Sequence, residues 1–108
     1  AAFALGSLTW VAFADPGIVT QSMTFPQGTH LVRCFECDVH RPRSAVHCDD
    51  CDVCVLGHDH HCPWTGKCIG LWNLNAFYSF LCSIFVIMVW TMIITMTTVL
   101  PKTANKTH

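Results

Sequence analysis

Apolar residues gather at the two ends of this chain and thin out between them. The first stretch, AAFALGSLTWVAFA over residues 1–14, carries no charge. As a helix it reaches roughly 21 Å at 1.5 Å per residue, short of a ~30 Å hydrocarbon core. Its lack of charge favours the C-terminal part of a membrane helix over a buried soluble one. Asp15-Pro16-Gly17 stops it, since Pro cannot continue a helix and Gly permits the turn. Residues 15–33 show no period, contain Pro26 and Gly28, and read as a connector at the membrane face. Residues 34–75 are poor in apolar side chains. Val39, Val46, Val53, Val55 and Leu56 are expected to pack between short β-hairpins. Ala76 to Leu100, AFYSFLCSIFVIMVWTMIITMTTVL, is again uncharged, and a helix of that length, roughly 37 Å, crosses a bilayer with some tilt. A chain of 108 residues has nothing large enough to bury it, so it is read as a transmembrane helix, with Cys82 as a small packing residue. Leu100-Pro101 is expected to close the span, with a polar tail over 101–108.

Composition sharpens the middle. Seven of the 8 cysteines lie between Cys34 and Cys68, together with most of the histidines. A segment this short cannot build an ordinary core and needs a staple, either disulfides or metal. A secreted disulfide framework is the competing reading, and Ala12-Phe13-Ala14 does resemble a leader cleavage site. The opening has no basic n-region, however, and disulfides give no reason for histidines beside cysteines. Reduced thiols holding metal in a reducing compartment fit better. A net charge of −1 gives no case for nucleic acid.

The spacings are Cys34-x2-Cys37, Cys48-x2-Cys51-x2-Cys54, then Cys68, with His47 directly before Cys48. Cys-x2-Cys lets two thiolates from one tight turn reach a single tetrahedral Zn²⁺. Those six thiolates, His47 and one later histidine make two closed Cys₃His sites. His58, His60 and His61 compete for the last place, and spacing does not separate them. His30 and His40 lie in polar, turn-like surroundings and are expected to be exposed. On this count Cys62 is left over. The alternative makes Cys62 a ligand and another cysteine spare.

Asp59-His60-His61-Cys62-Pro63-Trp64 therefore becomes the candidate active stretch. A free thiol is mostly protonated at neutral pH, and an imidazole that takes its proton makes it a nucleophile. A carboxylate on that imidazole fixes its tautomer and stabilises its cation. The competing reading makes His60, His61 and Cys62 all metal ligands.

These motifs, with Arg41-Pro42, Val55, Cys68-Ile69-Gly70-x2-Asn73 and Asp15-Pro16-Gly17, resemble the cysteine-rich domain and DPG motif of the DHHC family of protein S-acyltransferases. The resemblance implies a membrane protein in which transmembrane α-helices flank a small zinc-stabilised domain with short β-hairpins. It implies two structural Zn²⁺, one held by Cys34, Cys37, His47 and Cys54, the other by Cys48, Cys51, His61 and Cys68. By motif position His61 binds metal and His60 is the base. Cys62 then takes a fatty acyl group from acyl-CoA, such as palmitoyl-CoA, and passes it to a cysteine of a membrane-associated substrate protein. Asp59 orients His60, Trp64 lies near the opening for the acyl chain, and Arg41 and Arg43 are left to meet the CoA phosphates. The implied setting is an endomembrane such as Golgi or ER, or the plasma membrane, with the cysteine-rich domain facing the cytosol. Ser44 stands where the family usually has Arg, and His58 replaces a commonly apolar residue. The competing function is a transfer-inactive, membrane-anchored zinc module that recruits partners; retention of Asp59, His60 and Cys62 argues against it.

Overall fold

Six short strands form three separate two-stranded antiparallel hairpins between two helices. The computed structural model describes residues 2–106, and the backbone alone at 103 and 104. Helix α1 covers Ala2–Phe13; β1 is Leu31–Cys34, β2 Val39–Pro42, β3 Val46–Cys48, β4 Val53–Val55, β5 His60–Cys62 and β6 Lys67–Ile69; α2 covers Leu74–Thr98 and α3 Leu100–Ala104. Each hairpin turns tightly through one residue in the left-handed region: Asp38 and Asp52 at φ 55°, and Gly66 at φ 68°. Gly adopts that conformation freely and Asp tolerates it.

The connector is more than a link. Asp15 Oδ1 accepts the amides of Gly17 at 2.7 Å and Ile18 at 3.0 Å, folding the chain back toward the hairpins. Gly17 O then accepts from Leu56 N at 2.8 Å, and Val19 N donates to Cys54 O at 2.9 Å, so this segment runs beside β4. Val19 is buried with Cys34, Val39, Ala45 and Cys54, and Met23 and Phe25 pack against them. Of the valines expected in the interior, Val39 and Val55 are buried, while Val46 is 45% exposed. Val46 and Cys48 share one face of β3 by the period of two along a strand, and burial rises along it toward Cys48, leaving Val46 exposed at the start of the strand.

Three contacts seat the hairpins on the helices. Asn73 is fully buried, with Nδ2 donating to Cys68 O at 3.0 Å and Oδ1 accepting from Gly70 N at 2.8 Å. Lys67 Nζ donates to the carbonyls of Ala12 and Ala14 at the C-terminal end of α1. Val11 of α1 is buried with Cys62, Ile69 and Ala76. The two helices also meet at Ser7 and Ser83, whose hydroxyls lie 3.2 Å apart.

The apolar helical run starts at Leu74, two residues before the expected Ala76. It is the one helix, among the described residues, long and apolar enough to cross a membrane. α1, at 12 residues, is shorter than that. Phe85 and Trp90 are 66% and 64% exposed on α2, far more apolar surface than a soluble helix leaves open. Thr91, Thr95 and Thr97 turn their hydroxyls onto carbonyls one turn back, at 2.9, 2.8 and 2.9 Å. Those bonds satisfy the hydroxyls within the helix itself. Pro101 does not end the helical path, contrary to expectation: it sits in the first turn of α3, where a missing N–H costs nothing. Thr107 and His108 of the expected tail, and Ala1, lie outside the described residues.

Gly70 is the tightest junction. A Cβ there would lie 2.5 Å from Pro16 O, 2.5 Å from Val55 Cγ1 and 2.9 Å from Leu56 O. Gly70→Ala is therefore expected to destabilise the fold by about 1–3 kcal/mol, as overpacking does. Gly6→Ala, with open space around its added methyl, is expected to be neutral or stabilising by up to ~1 kcal/mol. Thermal unfolding in detergent checks both; equal melting of the two variants would contradict the close approach at Gly70.

Candidate active site and metal centres

The hairpin registers create the metal centres. His47 pairs directly across from Cys54 in β3–β4, and His61 across from Cys68 in β5–β6. Cys34 and Cys37 flank the turn of the first hairpin, and Cys48 and Cys51 that of the second. Each turn leans onto the cross-strand pair of the next hairpin. Cys34, Cys37, His47 and Cys54 thus converge, as do Cys48, Cys51, His61 and Cys68, with all ligand atoms of each set within 4.8 Å of one another.

These distances fit zinc. Tetrahedral Zn²⁺ with Zn–S of ~2.3 Å sets S···S edges of about 3.8 Å and slightly shorter S···N edges. Cys37 and Cys54 sulfurs are 3.7 Å apart, and Cys51 and Cys68 sulfurs 3.5 Å apart. His47 Nδ1 lies 3.7, 3.1 and 3.9 Å from the sulfurs of Cys34, Cys37 and Cys54. His61 Nδ1 lies 3.7, 3.3 and 3.8 Å from those of Cys48, Cys51 and Cys68. All eight cysteines are free thiols, so the disulfide alternative does not hold in this fold. Burial and the neighbouring Cys34 and Cys37 push the Cys54 thiol up to about 12. Burial with Cys48 and Cys51 pushes Cys68 up as well. Thiols crowded this closely ionise together only around a cation. Nε2 of His47 faces away from its cluster, 2.7 Å from Glu36 Oε2, 3.6 Å from Asp49 Oδ1 and 3.7 Å from Asp52 Oδ1.

Of the three competing histidines the fold brings His61 into a cluster and leaves His58 and His60 out. His60 sits one residue before it in β5, so the strand turns it to the opposite face. There His60 Nδ1 lies 2.7 Å from Asp59 Oδ2, and its ring meets Phe77 edge-on at 5.1 Å between centroids. Cys62, only 3% exposed, ends the same strand. Burial opposes its ionisation, but the amide and hydroxyl of Thr65, the His60 imidazole and the Trp64 amide outweigh it and hold the thiol below its ordinary range. The Asp59 hydrogen bond, and to a smaller extent Cys62, raise His60 above its ordinary range against the effect of burial. The two shifts together favour a thiolate–imidazolium pair.

His60 and Cys62 open on an apolar cavity of about 530 Å³, walled also by Pro63, Trp64, Phe77, Phe80, Leu81 and Ile84. Trp64 stands 88% exposed at its rim. The two arginines are placed apart from it. Arg41 is half-buried with Nη1 on Ala45 O, and its Nε is buried without a partner. Arg43 is exposed in the β2–β3 turn. His30 and His40 are exposed. Thr65 and Phe77 contribute to the site without having been expected there. The Cys62-x2-Thr65 spacing, parallel to the two Cys-x2-Cys turns, is the sequence signal that points to Thr65.

The fold and site define a class: a small metal-knuckle domain that presents an activated thiol at the foot of a membrane-length helix. A family model described as DHHC palmitoyltransferase matches residues 28–108, and the chain belongs to this family. It is 42% identical to Protein S-acyltransferase 10 of Arabidopsis thaliana over 71 residues, covering 64% of this chain and 21% of that protein. It is 40% identical to Palmitoyltransferase ZDHHC14 of Mus musculus over 80 residues, 74% of this chain and 16% of that protein. Palmitoyltransferase ZDHHC9 of Pongo abelii is 42% identical over 69 residues, 64% of this chain and 19% of that protein. The chain spans about a fifth of the length of these relatives.

Two predictions follow from the geometry of the two faces of β5. Metal analysis is expected to return two zinc ions per chain. His61→Ala should lose one of them and destabilise the domain, because binding and folding are coupled, while His60→Ala keeps both. One zinc in the unmutated protein, or swapped phenotypes, would overturn the assignment of faces.

The second concerns pH. With Cys62 lowered and His60 raised, the ion pair opens below the usual thiol range and closes as His60 loses its proton. Asp59→Asn removes the largest cause of the raised His60. His60 then releases its proton at lower pH, and Cys62, facing less positive charge, ionises at higher pH. The acidic limb of the Cys62 alkylation profile should therefore move to higher pH; an unmoved limb would show that Asp59 does not act through His60.

Proposed function

We propose that this chain carries the catalytic core of a membrane-embedded protein S-acyltransferase, with Cys62 as the sulfur that holds the acyl group. The carrying observation is that His60, whose Nδ1 lies 2.7 Å from Asp59, and Cys62 open together on an apolar cavity walled by the start of α2. The donor is a fatty acyl-CoA, such as palmitoyl-CoA. Its chain lies in the cavity, where each buried CH₂ contributes ~0.8 kcal/mol, and its thioester carbon reaches Cys62 at the polar rim.

In the first half-reaction the Cys62 thiolate attacks the thioester carbon while His60 holds the proton. The new Cys62–acyl bond forms as the bond to the CoA sulfur breaks, and the CoA thiolate leaves with the proton from His60. In the second, a cysteine of a substrate protein gives its proton to His60 and attacks the acyl-Cys62 carbon. The acyl group passes to the substrate and the Cys62 thiolate is restored. Thioester-to-thiol exchange is nearly balanced, so no energy-coupling cofactor is needed. Asp59 holds the His60 tautomer and stabilises its cation.

Bound zinc would supply two closed structural centres at the quartets described above, with no open position for chemistry. In this reading α2 spans the bilayer, α1 is the end of a second span packed beside it, and the hairpins face the cytosol, where cysteines of membrane-associated proteins reach Cys62. Trp64 flanks the opening for the acyl chain. Arg43, exposed, is free to meet the CoA phosphates, and Arg41 joins it only by releasing the Ala45 carbonyl.

Cys62→Ser keeps size and polarity but substitutes a hydroxyl that His60 cannot bring near neutral ionisation. Acyl-CoA-dependent labelling that survives denaturation and yields to hydroxylamine is expected in the unmutated protein and absent from Cys62→Ser, with two zinc ions retained. His60→Ala should slow labelling by roughly 10²–10⁴-fold. Labelling that persists in Cys62→Ser would move the nucleophile elsewhere, and loss of a zinc in that variant would make Cys62 a ligand.

A further inference from the structure

The three hairpins are copies of one unit. Cys34, Cys48 and Cys62 recur at a constant interval of fourteen residues, as do Cys37, Cys51 and Thr65. Registers match: Cys34 faces Val39, Cys48 faces Val53, and Cys62 faces Lys67 across the mouth of each turn. The left-handed residue recurs at Asp38, Asp52 and Gly66.

Two differences set the third unit apart. In the first two, the second cysteine of the turn and a His–Cys pair from the next hairpin complete the quartet. After the third, the chain enters α2 instead of a fourth hairpin, and Thr65 stands where the second thiol would be. Its hydroxyl is turned to Cys62, 3.4 Å from the carbonyl oxygen. His60 is the imidazole left near the sulfur.

We propose that the β5–β6 turn is a third knuckle of the metal-binding series kept free of metal, and that Thr65 is the positioning residue that holds the turn at Cys62, through its hydroxyl on the Cys62 carbonyl, while denying a metal its second ligand. A soft divalent cation at Cys62 would tie up the sulfur lone pair that attacks a thioester. Two thiolates at Cys-x2-Cys spacing with His60 nearby are the start of a zinc site. One thiol with a hydroxyl is not. The inference rests on Cys62 being the reactive sulfur of the proposed function, but its readout is metal content and thiol access, which do not depend on acyl transfer.

The experiment uses the protein as the cell makes it, purified in detergent, with zinc counted per chain at saturating Zn²⁺. Labelling of Cys62 by N-ethylmaleimide is followed in parallel. The unmutated protein and Thr65→Ser are expected to hold two zinc ions and to label at Cys62 with or without added zinc. Thr65→Cys and Thr65→His, each restoring a second ligand at knuckle spacing, are expected to hold three, with zinc-dependent protection of Cys62. Cys62→Ser in either background should return the count to two. A variant that fails to fold shows itself by losing the first two ions, and the other variant then decides. Two zinc ions and unprotected Cys62 in the folded variants would overturn the proposal, as would a third zinc at Cys62 in the unmutated protein.

Discussion

Thiols packed against one another in a protein interior cannot ionise together, and every other feature of this molecule hangs on how that conflict is resolved. Cys54 and Cys68 are each pushed up by burial and by the sulfurs beside them. A divalent cation at the centre of each quartet would reverse the balance and turn repulsion into a crosslink. The crosslinks are sequential: the turn of one hairpin is fastened to the body of the next. The buried apolar residues here are few and small, mostly valine, alanine and cysteine. Burial at ~25 cal/mol per Å² cannot order a segment of this size alone, so metal supplies what the core lacks.

Rigidity at the metal centres matters because the thiol site is built on the same strand. β5 alternates His60, His61 and Cys62, and the period of two sends His61 to a zinc quartet and His60 to the opposite face. The register that places a ligand therefore places the base. The cavity beside Cys62 takes one wall from the hairpin and the other from α2. That puts a polar, charge-stabilising rim against an apolar space continuous with a membrane-length helix. A reagent with a charged head and a long apolar tail fits this boundary, which is why the proposed donor is a fatty acyl-CoA.

Residue types at fixed spacings made most of this visible in the sequence. Cys-x2-Cys turns and a His–Cys pair report on local geometry that a few residues determine. The count of available ligands already left Cys62 spare, and the fourteen-residue step from His47 to His61 separates that histidine from His58 and His60, as the β5–β6 register then shows. What stayed hidden depends on contacts distant in sequence. Residues 15–33 looked aperiodic because their order comes from distant partners: Gly17 and Val19 bond to Leu56 and Cys54 beside β4, residues 31–33 open β1, and Val19, Met23 and Phe25 close the first cluster. Val46 looked like core but is exposed at the start of β3, on the same face as buried Cys48 and two residues short of it. The fourteen-residue interval lay open in the sequence all along. Its third copy escapes notice because Thr65 and Gly66 break the cysteine pattern where the chemistry departs from metal binding.

Lys67 shows how the parts are tied into one device. In β6 it stands opposite Cys62 and directly before Cys68, between that thiol and a member of the second Cys/His quartet. Its ammonium donates to the carbonyls of Ala12 and Ala14, at the end of α1 where the helix leaves acceptors unpaired. A cation there also meets the negative end of the helix dipole. One flexible side chain thus joins the metal-held hairpin to the helix that precedes it, while Asn73 makes the matching connection to α2 through Cys68 O and Gly70 N. With both helices fixed to the residues on either side of Cys68, displacement of either helix would be felt at the Cys62–Lys67 pair. The position of the sulfur thus depends both on the hairpins that carry the Cys/His quartets and on the helices tied to them.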